Sequence, residues 1–191
     1  MLTLRMATSA DAEALVGIYR EYIDTPVTFE YTAPSVEEFA GRIEKTLTQY
    51  PWLVCEEDGV IIGYAYASRH RERAAYGWNA SLSIYLTERC TGRRIGARLY
   101  GALLELLRRQ NIINVYAAVT DPNPLSHSFH RAEGFEALGT FRHTGYKNGR
   151  WYDVVHYEKQ LSPLTDSPAA FIPIGELDAA AIEEILARQS A

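Results

Sequence analysis

The sequence predicts an α/β fold in which helices flank a mixed sheet. Apolar residues recur at alternating spacing in some segments and at helical spacing in others, and the two kinds of segment interleave along the chain. Asp-Gly and Asn-Gly pairs sit between alternating runs, where hairpin turns form. With 191 residues and 47% hydrophobic content, the chain can bury one substantial core.

Residues 2–7, LTLRMA, alternate as a short strand. TSADAEALVGIYREYI then places Ala14, Leu15, Ile18, Tyr19 and Tyr22 on one helical face, with Ser9 or Asp11 as N-cap. A Pro- and Thr-rich connection, DTPVTFEYTAPS, leads to SVEEFAGRIEKTLTQY, whose Ser-x-x-Glu start is a capping-box pattern and which must end before Pro51. WLVCEE, the turn DG and VIIGYAYASRH form a hairpin, and GWNASLSIYL is a further strand. GARLYGALLELLRRQ repeats Leu99, Ala102, Leu103, Leu106 and Leu107 at helical spacing. INVYAAVT is a buried-type strand, and SHSFHRAE a short helix with Gly134 at its C′ position. FEALGTFRHTGYKNGRWYDVVHYEKQL reads as two strands joined by an Asn-Gly turn. Residues 1–161 make up the domain. Residues 162–191 are a Pro-rich linker and a last helix, whose Leu177, Ala181, Ile182 and Ile185 form a stripe that docks on the domain or on a second subunit.

A formal charge of -5 argues against bulk nucleic-acid binding, although residues 69–109 are locally basic and suit a small anionic ligand. Cys55 and Cys90 have neither zinc-site nor disulfide-framework spacing, so no metal is expected and a reducing compartment is the simplest reading. The first residues lack signal-peptide features, and no apolar run approaches the roughly 20 residues of a membrane span. A soluble, cytoplasmic protein is expected, without membrane or nucleic-acid partners.

The most informative stretch is RCTGRRIGARLY, residues 89–100, between a strand and the strongest helix. The first turn of a helix leaves backbone N–H groups without intrahelical partners, and the aligned peptide dipoles favour an anion there. Gly92 and Gly96 allow close approach, and Arg93 and Arg94 add charge-assisted hydrogen bonds to phosphate oxygens. A solvated basic loop that merely precedes a helix fits the same residues. The stretch is neither a Walker A sequence nor Gly-x-Gly-x-x-Gly.

Several blocks, in order, resemble the GCN5-related N-acetyltransferase (GNAT) superfamily and within it the phosphinothricin N-acetyltransferase-like group. They are TPVTFEYTAPS, VIIGYAYASRHRERAAYGW, SIYL, IGARLYGALL, NPLSHSFHRAEGF and GTFRHTGYKNGRWYDVVHYEKQL, and they span about residues 5–161. The resemblance implies a mixed, mostly antiparallel sheet and an acetyl-CoA co-substrate. It also implies a primary amine on an amino-acid-like acceptor, of the phosphinothricin or methionine sulfoximine kind, and a homodimer. By position, Ile84, Tyr85 and Leu86 would bind the pantetheine arm, and Gly92, Arg93, Arg94, Ile95, Gly96 and Ala97 the pyrophosphate. Asn123 and Ser126 match the family's Asn-x-x-Ser near the coenzyme, and His130 the aromatic or histidine position that follows. Phe29, Arg71, Arg73, Tyr76, Lys147 and Trp151 would line or flank the acceptor.

Two departures from the family pattern bear on chemistry. Arg94 stands where relatives place the loop's first glycine, so it must adopt positive φ or the turn must shift to Gly92. Ser81 stands where relatives have the glutamate that takes the amine's proton. A hydroxyl of ordinary pKa cannot accept that proton, which leaves a water held by Ser81, or a histidine among His130, His127 and His70. His130 sits in an intact motif, whereas His70 and His127 read as surface or packing residues. Attack through a tetrahedral intermediate needs no covalent enzyme species, so Cys55 and Cys90 receive no role. These departures also suit an acyl-CoA-binding or regulatory module with degenerate catalysis, although the retained GYKNGRWYDV block would be superfluous in a donor-only binder.

Overall fold

The structure, a computed structural model, describes residues 1–90 and 92–190, with Arg89 described by its backbone alone. Seven strands form one sheet: β1 (Leu2–Met6), β2 (Trp52–Glu57), β3 (Val60–Arg69), β4 (Asn79–Leu86), β5 (Asn114–Asp121), β6 (Glu136–Lys147) and β7 (Arg150–Gln160). Their order is β1-β2-β3-β4-β5-β7-β6, and every neighbouring pair is antiparallel except β4 with β5. Among the described residues five α-helices cover the sheet: α1 (Ala12–Arg20), α2 (Val36–Leu47), α3 (Ile95–Arg109), α4 (Pro124–Ala132) and α5 (Ala179–Ser190).

Strand alternation divides the core into two layers. Leu53, Cys55, Ala65, Ala67, Ala80, Leu82, Val115 and Ala117 face α3, whose Leu99, Leu103, Leu106 and Leu107 are buried against them. On the other face Trp52, Val54 and Tyr64 pack under Leu15, Val16, Ile18 and Tyr19 of α1 and Phe39 and Ile43 of α2. This second layer is largely aromatic. Trp52 stacks on Tyr66 with ring centroids 4.1 Å apart, and Tyr85 meets Tyr19 edge-on at 5.0 Å.

The anticipated turns form as their residues require. Asp58 and Gly59 have φ of 50° and 81°, and Asn148 and Gly149 have 50° and 79°, the pair of positive values that a tight hairpin demands. Asp11 is the N-cap of α1, one of the two residues the sequence offers for it, and Thr8 caps a short 3-10 turn, Ser9–Asp11, ahead of the helix; the Thr8 backbone N–H donates to Asp11 Oδ2 at 2.8 Å. Arg5 holds that same carboxylate bidentately, at 2.8 and 2.7 Å. The C-terminal helix packs within this chain. Ile185 and Leu186 of α5 are buried in the α3 layer, and the Leu4 N–H on edge strand β1 donates to Ser190 Oγ at 2.8 Å. Among the described residues no helix is long and apolar enough to cross a membrane.

Candidate active site

The site originates in the one parallel pairing. β4 and β5 are joined only at Asn79–Asn114, Ala80–Val115 and Ser81–Tyr116, and beyond Ser81 they separate. Leu82, Ser83, Ile84 and Tyr85 then face Ala117, Ala118, Val119 and Thr120 across an open cleft. Peptide groups on these facing edges lack ladder partners in the sheet, so an extended polar chain inserted between them gains hydrogen bonds. Tyr100 of α3 and Asn123, Ser126 and His130 at α4 close the cleft from the α3 side of the sheet.

The N-terminus of α3 adjoins the far end of β4. A Cβ on Gly96 would lie 3.0 Å from Phe129 and 3.4 Å from Leu86, so glycine permits this close approach. Helix geometry leaves the amides of Ile95, Gly96 and Ala97 without intrahelical acceptors. Arg94 caps the helix in the left-handed region at φ 58° and ψ 19°, and Gly92 also has positive φ, at 74°. The loop thus keeps the backbone shape that glycine usually supplies, with a guanidinium added. Arg93 turns elsewhere: its Nη1 donates to Glu57 Oε2 at 3.0 Å and its Nη2 to the other carboxylate oxygen.

Asn123 caps α4, its Oδ1 accepting from the Ser126 N–H at 3.1 Å, while its side chain also lines the cleft. His130 is buried. Its Nδ1 lies 2.8 Å from the Ser126 carbonyl and must carry the proton there, leaving Nε2 to accept from the Tyr100 hydroxyl at 3.2 Å. Burial holds this imidazole below its ordinary pKa of 6.5. Of the other cleft positions, Ile84 and Tyr85 face the opening. Leu86 is bound by Tyr22, whose hydroxyl donates to its carbonyl and accepts from its N–H.

Ser81 and His130 lie on opposite faces of the sheet. Ala80 and Leu82 point to α3, and His130 packs in that same layer, on Tyr157 and on Tyr100 of α3, so alternation turns Ser81 towards the aromatic layer. There the Ser81 hydroxyl lies 3.0 Å from His70 Nδ1. His70 is half-buried, its ring stacked on Tyr116 at 4.2 Å. In the sequence alone His70 reads as a surface or packing histidine, because nothing local ties residue 70 to residue 81. Only the pairing of β3 with β4 brings them together. His127 is engaged elsewhere, 2.8 Å from the Tyr157 hydroxyl and 3.0 Å from Asp121.

The acceptor-side positions divide into two groups. Arg71, Arg73 and Tyr76 lie on the exposed loop that follows His70, with the Arg71 guanidinium 5.5 Å from the Tyr76 ring centre. Phe29 covers Gly145, where a Cβ would come within 2.1 Å of its ring. Lys147 is 2% exposed, and its ammonium donates to the carbonyls of Thr28 at 2.6 Å and Glu30 at 2.9 Å, so it latches the segment carrying Phe29 to β6. Trp151 is exposed beside Tyr146, with ring centres 5.3 Å apart.

A family model described as Acetyltransferase (GNAT) domain matches residues 4–156. The chain belongs to the GNAT acetyltransferase family. Among GNAT relatives, the phosphinothricin N-acetyltransferase of Streptomyces viridochromogenes is 34% identical over 91% of this chain and 95% of its own length. The L-methionine sulfoximine/L-methionine sulfone acetyltransferase of Salmonella typhimurium is 28% identical over 84% of this chain and 95% of its own. A GNAT phosphinothricin acetyltransferase from Sinorhizobium meliloti, solved in complex with acetyl-CoA, superposes with a TM-score of 0.82 at 34% identity, covering 91% of this chain and 98% of that one. The sheet order and flanking helices described above are therefore those of a GNAT fold. Among the described residues no group of His, Cys, Asp and Glu is arranged to hold a metal ion.

Proposed function

We propose that this GNAT acetyltransferase moves an acetyl group from acetyl-CoA to the amino group of a small amino-acid-like acceptor of the phosphinothricin or methionine sulfoximine kind. The observation that carries the reading is the splay of β4 from β5, opening beside the N-terminus of α3. The residues present fit the coenzyme: unpaired strand edges for the amides of the pantetheine arm, and three helix amides with Arg94 for the pyrophosphate. Asn123, Ser126 and His130 flank the arm from the α3 side. Gly92 shapes the turn, whereas Arg93 reaches phosphate only if it leaves Glu57.

The amine attacks the thioester carbonyl directly. The C–N bond forms, the C–S bond breaks, and the electron pair leaves on the coenzyme thiolate. In this reading a backbone N–H on the splayed stretch of β4 stabilises the tetrahedral oxyanion. Arg71 and Arg73 supply guanidinium groups for the acceptor's carboxylate, and Phe29, Tyr76 and Trp151 supply apolar walls. Lys147 serves by fixing the Phe29 segment and not by touching the acceptor. Both cysteines are buried and free, which suits work in the cytoplasm. Leu138, Phe141, Tyr146 and Trp151 are exposed along β6 and β7 and support a homodimer, which sedimentation equilibrium would reveal as a doubled mass.

Thiol release from acetyl-CoA, followed with a panel of amino acids, phosphinothricin and methionine sulfoximine, tests the reading. Amine-dependent release is expected with at least one amino-acid analogue. Coenzyme binding without amine-dependent release from pH 6 to 9.5 would leave a coenzyme-binding module in place of an enzyme.

A further inference from the structure

Ser81 is the last β4 residue paired with β5 before the strands part, and it directly precedes the cleft-lining stretch that begins at Leu82. It cannot itself hold the proton that an alkylammonium must lose before its nitrogen can attack. Directly behind it, at 3.0 Å, is His70 Nδ1, and the ring plane is held by stacking on Tyr116 at 4.2 Å and 23°. Residues from three different strands or strand ends thus meet at a half-buried imidazole, Ser81 in the plane of the ring and Tyr116 on its face. The titratable and charged groups that act on the imidazole are Arg71 from its own loop and His156 from β7, beside the stacked Tyr116 of β5, on which Glu158 acts in turn.

We propose that His70, acting through the Ser81 hydroxyl, receives the proton of the acceptor ammonium, so that the pair supplies the proton acceptor for acetyl transfer. The proposal rests on the acetyltransferase reading above. In the step, Ser81 O–H donates to His70 Nδ1 while Ser81 Oγ accepts an N–H of the ammonium. As the ammonium N–H bond breaks, its proton passes to Ser81 oxygen and the serine's own proton passes to Nδ1. The result is a neutral amine, an intact hydroxyl and an imidazolium. One positive charge is moved and none is created. The second amine proton is lost after C–N bond formation and goes with the electron pair to the departing thiolate, and the imidazolium returns its proton to solvent. Burial, Arg71 and His156 hold His70 below its ordinary pKa of 6.5, so at pH 7 the ring is neutral and ready to accept.

Two measurements on the full chain test this. The first is kcat/KM against pH with acetyl-CoA and the amine that the thiol-release panel identifies, for the wild type, His70→Phe, Ser81→Ala and the double variant Ser81→Glu with His70→Phe. Phenylalanine keeps the stack on Tyr116. His70→Phe is expected to lower kcat/KM about 100- to 10,000-fold at pH 7. The loss should shrink towards pH 9.5, where free amine is abundant, with KM for acetyl-CoA unmoved. The carboxylate of the double variant should recover at least about tenfold of that loss at pH 7. A loss by the same factor at every pH, or no loss, overturns the proposal. So does a stoichiometric burst of thiol without amine that Ser81→Ala abolishes, because Ser81 would then be the nucleophile of an acyl-enzyme.

The second measurement needs no acceptor. Long-range proton–nitrogen NMR on the imidazoles should show the neutral His70 protonated at Nε2, with Nδ1 free to accept from Ser81. A proton on Nδ1 would overturn the pair whatever the assays show. If no amine in the panel is turned over while this tautomer is seen, the acetyltransferase reading has failed and the pair has not.

Discussion

Arg94 occupies the left-handed region at φ 58°, where a residue with a Cβ is strained by about 1 kcal/mol and glycine is not. Arg94→Gly should therefore unfold at higher urea than Arg94→Ala, by about 1 kcal/mol. Calorimetric titration with acetyl-CoA should show the two variants weakened alike, since both lose the same guanidinium. Equal stability of the two variants would mean that the backbone strain is absent. In the sequence Arg94 stands where relatives have glycine, which admits either strain at Arg94 or a turn shifted to Gly92. The folded loop uses positive φ at both, an outcome that depends on how the 92–94 turn joins the start of α3. Ser81 was legible as a missing carboxylate. Its partner was not, because a hydrogen bond across 11 residues exists only once β3 and β4 have paired in register.

At the scale of elements, local chemistry wrote most of the structure. The Asp-Gly and Asn-Gly turns, the Ser35 cap of α2 and the leucine stripe of α3 all follow from residues close in sequence. The splay of β4 from β5 does not, because it lies in which residues pair between strands distant in sequence, and no short motif reports it. Lys147 shows the same limit. Its block of sequence pointed to the acceptor side, but its buried ammonium holds the carbonyls of Thr28 and Glu30. Lys147→Met keeps the stem and leaves those carbonyls unpaired, which should cost about 1–3 kcal/mol in urea unfolding. KM for the amine should rise because the Phe29 segment is released, while KM for acetyl-CoA should change little. For α5, Ile185→Ala should destabilise the protein by about 2–5 kcal/mol, as expected for a buried isoleucine. A change below about 0.5 kcal/mol in a urea melt would show that α5 is not part of the folded core.

For the whole molecule, acid sensitivity is set by three histidines. Burial holds His70, His130 and His156 below the ordinary value of 6.5. A histidine with a lowered folded-state pKa binds more protons when unfolded, so stability rises with pH between the folded and unfolded values. Stability is thus full above about pH 6.5 and falls as pH drops through the unfolded pKa towards the folded ones, most for the buried His130 and less for the more exposed His70 and His156. Asp11, held low by its hydrogen bonds to Arg5, adds a separate loss only when pH falls through its folded pKa, below 3.8. The urea midpoint should decline from pH 7 to 5, and His130→Gln should flatten that decline. A flat profile in the wild type would show that the histidines are solvated.

The most direct test of the whole account is a crystal structure with acetyl-CoA bound. The pantetheine arm is predicted to run between residues 82–85 and residues 117–120, with the pyrophosphate on the amides of Ile95, Gly96 and Ala97. The acetyl group should emerge on the face of the sheet that carries Ser81 and His70. A coenzyme bound outside the β4–β5 opening, or a thioester directed away from Ser81, would contradict it.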